Sequence, residues 1–280
     1  MTLKKLRFDT IDYWSEIKLE IVKRYATEYS KIFRSKRQES FYHIYIDAFA
    51  GAGISISKAT GEFIKGSPLN ALAVDPSFRE YHFIDIDGKK VDHLKKLVGK
   101  REDVFIYSGD CNNVLLENIF PNVKYENYRR ALCLLDPYGL HLKWEVIQTA
   151  GRMGTIDMFL NFPIMDMNRN ALWRNPELVG KPDIQRMNSF WGDDSWRNII
   201  YKKKRTLFGF EEEKADNEVI AEEFRKRLKS EANFREVLKP MPMRNRTNAI
   251  VYYLFFASQK PVAEGIVKHI FKQYQHHRYS

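Results

Sequence analysis

Ile44-Tyr45-Ile46-Asp47-Ala48-Phe49-Ala50-Gly51-Ala52-Gly53 is the stretch on which the fold turns. Its β-branched and aromatic residues read as a buried strand, and Gly51 and Gly53 as a tight turn after it. Glycine there lets the backbone turn sharply and lets a ligand approach the main chain. In an open α/β sheet, such a turn is where nucleotide-like ligands sit. The position three after Gly53 is Ile56, so the dinucleotide pattern G-x-G-x-x-G is incomplete. An ordinary strand-to-loop turn is the alternative that this stretch alone leaves standing.

On both sides of the turn, helix and strand alternate. Residues 11–35 read as one helix, with Trp14, Ile17, Ile21, Tyr25, Tyr29 and Ile32 as its apolar stripe. Lys18, Lys23, Arg24, Lys31 and Arg34 fall mainly off that stripe and read as a solvated face, and residues 34–40 as a polar hinge. Residues 54–65 read as a polar loop. Ser67 and Pro68 then suit the N-cap and first position of a short helix, Leu69 to Val74.

A second strand, Tyr81 to Ile86, carries Asp85, followed by Asp87 and a helix from Lys89 to Val98. A carboxylate at such a strand tip accepts hydrogen bonds from both hydroxyls of a ribose. A strand over 103–108 leads to Asp110 and Cys111. Asp110 suits either the amine of an adenine ring or the cap of the next helix, Asn113 to Ile119. Ala131 to Leu135 is almost purely apolar, as expected of a central parallel strand. It runs into Asp136-Pro137-Tyr138-Gly139, a stiff turn at the sheet's ligand edge. A helix from Trp144 to Gly151 and a strand from Ile156 to Phe162 complete a doubly wound pattern.

The order then breaks. Residues 164–230 read as helical, with no clear strand. Trp191 and Trp196 lie beside cations, and Lys202, Lys203, Lys204 and Arg205 form a basic run. Interleaved rings and cations suit bases and phosphates, and a tryptophan-centred subdomain core is the competing reading. Residues 211–229 read as a charged helix. Two late strands, Asn233 to Lys239 and Asn248 to Ser258, flank a turn carrying Arg244 and Arg246, and a helix from Val262 to Tyr274 follows, with His276 and His277 in a terminal tail. The expected organisation is one composite domain: residues 1–40 as a packed helix, 41–163 as a ligand-binding half, 164–230 as a substrate-selecting insertion, and 231–280 as a closing strand pair with its helix.

The 280 residues carry a formal net charge of +10, which points to an anionic partner, nucleic acid first. The two cysteines, Cys111 and Cys133, have neither C-x-x-C spacing nor a histidine cluster, so no metal site and no disulfide framework is expected, in keeping with a reducing cytoplasm. The apolar stretches, such as Ile250 to Ala257, are too short to cross a bilayer, and no signal-peptide core is evident. No G-x-x-x-x-G-K-[ST] loop is present.

Taken in order, these motifs resemble those of class I S-adenosylmethionine-dependent methyltransferases. The resemblance implies a Rossmann-like α/β fold with a mostly parallel sheet, a late antiparallel hairpin and a helical insertion. It implies that Asp47, Phe49, Gly51 and Gly53 wrap the amino-acid end of S-adenosyl-L-methionine. Asp85, with Asp87 beside it, falls where an acid binds the ribose, and Asp110, with Cys111, where one meets adenine. Asp136-Pro137-Tyr138-Gly139 resembles the D-P-P-Y turn of amino-group methyltransferases. It departs by having one proline and its aromatic residue one place early, a form that also resembles the D-P-F-G of enzymes that methylate the guanine amine in transfer RNA, which leaves the acceptor atom open.

More narrowly, the chain resembles the three-Cys-motif partner protein family. The carrying pieces are Phe49 to Gly53, Gly66-Ser67-Pro68, Phe83 to Asp87, Leu135 to Gly139, Asn161-Phe162-Pro163, Phe190 to Arg197 and Tyr253 to Ser258. That name implies a partner protein with three cysteines. The implied reaction moves a methyl group to an exocyclic amine of a nucleobase in DNA or RNA. Asp136 and the Pro137 carbonyl would accept from that amine, Tyr138 would border the base, and Lys202 to Arg205 with Arg244 and Arg246 would hold phosphates. The rival expectation is a non-catalytic, nucleic-acid-associated subunit of the same shape.

Overall fold

The computed structural model describes residues 8–35, 41–206 and 209–275. The chain opens with a two-residue strand, β1 (Thr10–Ile11), and the long helix α1 (Tyr13–Ser35). Then come β2 (Tyr42–Asp47), β3 (Ile54–Ser57), β4 (Phe63–Lys65), α2 (Ser67–Leu72), β5 (Glu80–Asp85), α3 (Gly88–Val98) and β6 (Val104–Ser108). A short α4 (Cys111–Asn113) runs on as a π-helical turn over Val114–Ile119. After it come β7 (Arg129–Leu135), α5 (Trp144–Met153), β8 (Ile156–Phe162) and α6 (Ile164–Asn170). The remainder is α7 (Lys181–Trp191), α8 (Trp196–Ile200), β9 (Tyr201–Thr206), β10 (Gly209–Lys214), α9 (Asn217–Ser230), β11 (Glu236–Val237), β12 (Met241–Arg244), β13 (Ile250–Ser258) and α10 (Pro261–Tyr274).

The main sheet runs β6-β5-β2-β7-β8 in parallel, then β13 antiparallel against β8, with β11 and β12 on the far edge of β13. The period of two sorts its side chains. Ile44, Ile46, Ala131, Cys133, Leu135, Leu160 and Phe255 point to one face, packed by α5, α7, α8 and α9. Tyr45, Leu132, Leu134, Phe159, Leu254 and Phe256 point to the other, packed by α1, α2 and α10. Two layers of helix therefore bury the parallel strands on both sides. Because the strands are parallel, Asp47, Asp85 and Asp136 all arrive at the carboxyl edge.

Several expectations need correction. Residues 54–65 form the β3–β4 hairpin rather than a loop, and β1 pairs in parallel with β3 to make a small separate sheet. Ser67 is the first helical residue of α2. Gly66 is the N-cap, with no side-chain cap bond. Residues 201–214 are an antiparallel hairpin, and residues 211–214 belong to its second strand rather than to a helix. Its register sets Lys202 opposite Glu213 and Lys203 opposite Glu212, so the basic run faces an acidic strand. Trp191 and Trp196 are buried rather than surface stacking platforms. They join Phe162, Phe224 and Phe255 in the same core that covers the sheet, so the 164–230 segment shares that core. The strand expected at 233–239 is reduced to Glu236–Val237, and β12 supplies most of the pairing on the outer edge of β13. Residues 36–40, His276 and His277 lie outside the described residues.

Candidate functional site

The carboxyl edge opens into a cleft of about 420 Å³. That is within the range of small-molecule sites. Phe49, Gly51, Gly53, Asp85, Asp136, Pro137 and Tyr138 all line it. Gly51 has φ +63° and Gly53 φ +81°, left-handed values that favour glycine. A Cβ on Gly53 would come within 2.7 Å of Leu94, which packs α3 against the turn.

Asp85 ties this turn to its own strand tip. Its Oδ2 accepts from the Gly51 amide at 2.8 Å, and its Oδ1 from the Asp87 amide at 2.8 Å. Asp85 lines the cleft, and its two oxygens keep acceptor capacity beyond these two bonds. Asp47 is fully buried just behind the turn. Its Oδ1 accepts from the Phe49 amide at 3.1 Å, while Oδ2 has no partner among the described residues. Burial pushes its carboxyl up to about 7, although the neighbouring Ser67 hydroxyl favours the charged form.

Asp87, Asp110 and Cys111 lie outside the cleft lining. Asp87 caps α3, accepting from the Lys89 amide at 2.9 Å. Asp110 caps α4, accepting from the amides of Asn112 at 3.0 Å and Asn113 at 3.2 Å. Of its two expected roles, the capping one is the one the side chain makes. The Cys111 thiol is pushed up to about 12 by burial and the Asp110 charge, so it is no thiolate near neutrality.

Across the cleft, Asp136 is held from two sides. Lys18 of α1 donates to its Oδ2, and Asn161 of β8 donates to its Oδ1 at 2.9 Å. Lys18 is 5% exposed and lies 5.3 Å from the Tyr252 ring centroid, so it is a buried site residue and not part of a solvated face. Its signal in the sequence is its spacing. It stands four residues after Trp14 and three before Ile21, inside the apolar stripe. Pro137 is buried, whereas Tyr138 is 70% exposed and stands at the cleft mouth.

Gly139 has φ +67°, and a Cβ there would sit 2.7 Å from Asp166 Oδ2. Asp166 therefore packs its carboxylate directly on the turn, with Asn170 donating to its Oδ1 at 2.9 Å.

The cleft's outer wall is residues 8–12, which sequence reasoning folded into the helix or its lead-in. The Ile56 amide donates to the Asp9 carbonyl and the Lys58 amide to the Ile11 carbonyl, both at 2.9 Å. Asp9 pairs with Lys90 of α3 and Asp12 with Lys58, each at 2.6 Å. Of the expected phosphate-gripping residues, Lys202 to Arg205 sit in the β9–β10 hairpin and are absent from the cleft lining. Arg244, the last residue of β12, and Arg246, in the turn before β13, are exposed, and Val251 and Tyr252 of β13 line the cleft. Among the described residues no group of three His, Cys, Asp or Glu side chains is placed to hold a metal ion, and no helix is long and apolar enough to cross a membrane.

No family model and no curated protein matches the chain. Among solved structures it is similar to protein LPL1258 of Legionella pneumophila, of the DUF519 family, at 10% identity and a TM-score of 0.50, covering 91% of this chain and 90% of that one. It is also similar to a putative methyltransferase of Thermobifida fusca at 15% identity and a TM-score of 0.43, covering 88% of this chain and 80% of that one. A third similarity is to the DszA carbon methyltransferase, at 14% identity and a TM-score of 0.46, covering 87% of this chain and 54% of that one. Strand order and likeness at these identities bear on the fold alone, which is a Rossmann-like α/β architecture with a mostly parallel sheet and a late antiparallel strand.

Proposed function

We propose that the protein is an S-adenosylmethionine-dependent methyltransferase acting on an exocyclic amine of a nucleobase in DNA or RNA. One observation carries this reading. A single cleft joins the left-handed glycine turn, the Asp85 carboxylate and the Asp136-Pro137-Tyr138-Gly139 turn. The left-handed glycines and the acid at the tip of β5 fit the amino-acid end and the ribose of the cofactor. The resemblance would set Asp110 and Cys111, next along the sheet edge, toward the adenine, although Asp110 is engaged as the α4 cap and neither lines the cleft. When bound, that cofactor supplies an activated methyl group on a sulfonium.

The chain's own residues orient the acceptor. Asp136 retains lone pairs beyond those used by Lys18 and Asn161, and with the Pro137 carbonyl it accepts from the amine. That aligns the nitrogen lone pair without a strong base. Tyr138, exposed at the mouth, borders the base. In a duplex the base is flipped out first, at a cost of a few kcal/mol. Arg244 and Arg246 hold phosphates beside the cleft, and the 164–230 segment selects the substrate. Lys202 to Arg205 contribute less, because of their acidic partner strand.

The narrower sequence resemblance, to three-Cys-motif partner proteins, supports a protein partner bearing three cysteines. Two buried free thiols suit a reducing cytoplasm. A second reading, a non-catalytic partner subunit, is favoured by one feature: both Asp136 oxygens are already engaged inside the protein.

Calorimetric titration of S-adenosylmethionine and S-adenosylhomocysteine, alongside Asp85→Ala, tests the proposal. Micromolar binding that is lost in the variant, followed by labelled methyl transfer to DNA or RNA pools, supports it. Absence of heat and of any thermal shift with both ligands overturns it in favour of the subunit.

A further inference from the structure

Four cations line the cleft, and three of them are paired: Lys18 with Asp136, Lys58 with Asp12 and Lys90 with Asp9. The fourth, Arg169 in the last turn of α6, is exposed and has no acid partner among the described residues. Four residues on, Trp173 is 41% exposed. Arg174 beside it is also exposed and likewise lacks an acid partner among the described residues.

This tryptophan is fixed in place despite its exposure. Its indole N–H donates to the Arg169 carbonyl at 2.7 Å, which ties the ring to the end of α6. The Tyr201 hydroxyl donates to the Trp173 carbonyl at 2.7 Å, and Lys214 Nζ donates to the Leu172 carbonyl at 2.6 Å. Tyr201 and Lys214 sit opposite each other at the open end of the β9–β10 hairpin. The root of that hairpin therefore holds the carbonyls on both sides of the Trp173 α-carbon. Among the described residues, no ring and no cation stacks on the indole.

A pre-set aromatic face between two unpaired guanidiniums suits a single strand of nucleic acid. The ring takes an unstacked base, and the cations take phosphates. Because the ring is already held, little freedom is lost when a base stacks on it. Past Arg174 the surface turns acidic, with Glu177, Glu212 and Asp216 lining the next cavity. That repels a polyanion on the far side and favours a track toward Arg169 and the cleft.

Resting on the nucleic-acid methyltransferase reading above, we infer that Trp173 stacks on a base flanking the target nucleotide, while Arg169 and Arg174 contact the neighbouring phosphates. The β9–β10 hairpin is then the buttress of this shelf rather than a phosphate grip of its own. The substrate is a nucleotide within a strand, not a free base or mononucleotide.

Anisotropy of a fluorescein-labelled single-stranded oligodeoxynucleotide, titrated with the full chain in saturating S-adenosylhomocysteine, tests the shelf. The comparison is a strand of equal length with the same phosphates and no bases. Trp173→Ala is expected to weaken the base-bearing strand about fivefold or more and the base-free strand less than about twofold. Trp173→Phe, which keeps a ring, retains most of the affinity. Arg169→Gln weakens both strands alike and lowers the salt slope by about 0.7. Circular dichroism establishes that each variant is folded. Equal weakening of the two strands by Trp173→Ala, or an unchanged affinity, would overturn the inference, as would a parent protein that binds neither strand.

These outcomes separate from those of the methyltransferase reading. Cofactor binding and methyl transfer without a Trp173 effect overturn the shelf alone. A Trp173-dependent preference for bases, in a protein that binds no cofactor, supports the shelf and assigns it to the non-catalytic subunit. Competition with unlabelled RNA of the same sequence identifies the polymer.

Discussion

Lys18 Nζ, on the second turn of α1, donates to Asp136 Oδ2, 118 residues further along the chain. The two ends of this pair differ in exposure, at 6% for the lysine side chain and 27% for the aspartate. Removing the aspartate leaves an ammonium buried without its partner. Removing the lysine leaves a carboxylate that water reaches and Asn161 still serves. Asp136→Ala is therefore expected to cost about 3 kcal/mol, and Lys18→Met distinctly less. The double variant should recover most of the loss. Urea denaturation of the three proteins measures this, and equal losses in the single variants would contradict the asymmetry.

The Gly139 position combines a left-handed backbone with a carboxylate against its α-carbon. Gly139→Ala forces an L-residue into that conformation, at about 1–2 kcal/mol, and displaces Asp166. We expect reduced stability together with lost methyl transfer, while S-adenosylhomocysteine binding, which uses the other side of the cleft, stays within about threefold. Calorimetry on a variant shown to be folded by circular dichroism separates the two effects.

Burial raises the Asp47 carboxyl from 3.8 to about 7 in the folded chain. Between those values the folded state holds a proton that the unfolded state has released. Stability from this group is therefore fully present below about pH 4 and is lost as pH rises through 7. The span corresponds to no more than about 4 kcal/mol. Asp47→Asn keeps an acceptor for the Phe49 amide and cannot ionise. It should flatten the pH 5–8 stability profile and be the more stable protein at pH 8. Denaturation midpoints across that range decide it.

Trp191 is 0% exposed in the core shared by the sheet and the 164–230 segment. Trp191→Ala should cost about 3–5 kcal/mol and lower a single transition seen by all probes. A separate early transition confined to tryptophan fluorescence would show that the segment unfolds independently.

Charge pairing in the β9–β10 hairpin separates two groups of cations. Arg244→Ala should weaken nucleic-acid binding and lower the salt slope by about one. Lys203→Ala, whose cross-strand neighbour is Glu212, should leave the slope unchanged. Binding isotherms at three salt concentrations distinguish these outcomes.

The parallel strands were legible because each is a short apolar run with one period and one clear stop. Ile156–Phe162 matches its expected bounds residue for residue. The β9–β10 hairpin was not, because its two strands are charged runs without an apolar alternation, and their opposite signs face each other only once the strands pair. The β3–β4 hairpin hid for a similar reason: Ser55 and Ser57 alternate with Ile54 and Ile56 in a segment too short to register as a strand. In the cleft, glycines and strand-tip acids carried local signals. Asn161 and Asp166 did not, since their meaning comes from partners elsewhere in the fold, and Lys18 showed only its place inside the apolar stripe, not its partner Asp136.

Residues 8–12 belong to no helix layer and carry little of the core, yet they close one side of the cleft through β1 and two ion pairs. Trimming the chain to the start of α1 would therefore leave the main sheet and its helix layers in place while removing one wall of the binding cleft. A solubility screen would pass such a truncation, and a ligand screen run on it would report weak binding for reasons unrelated to the ligand. Affinity tags and reporter groups belong on the α10 end.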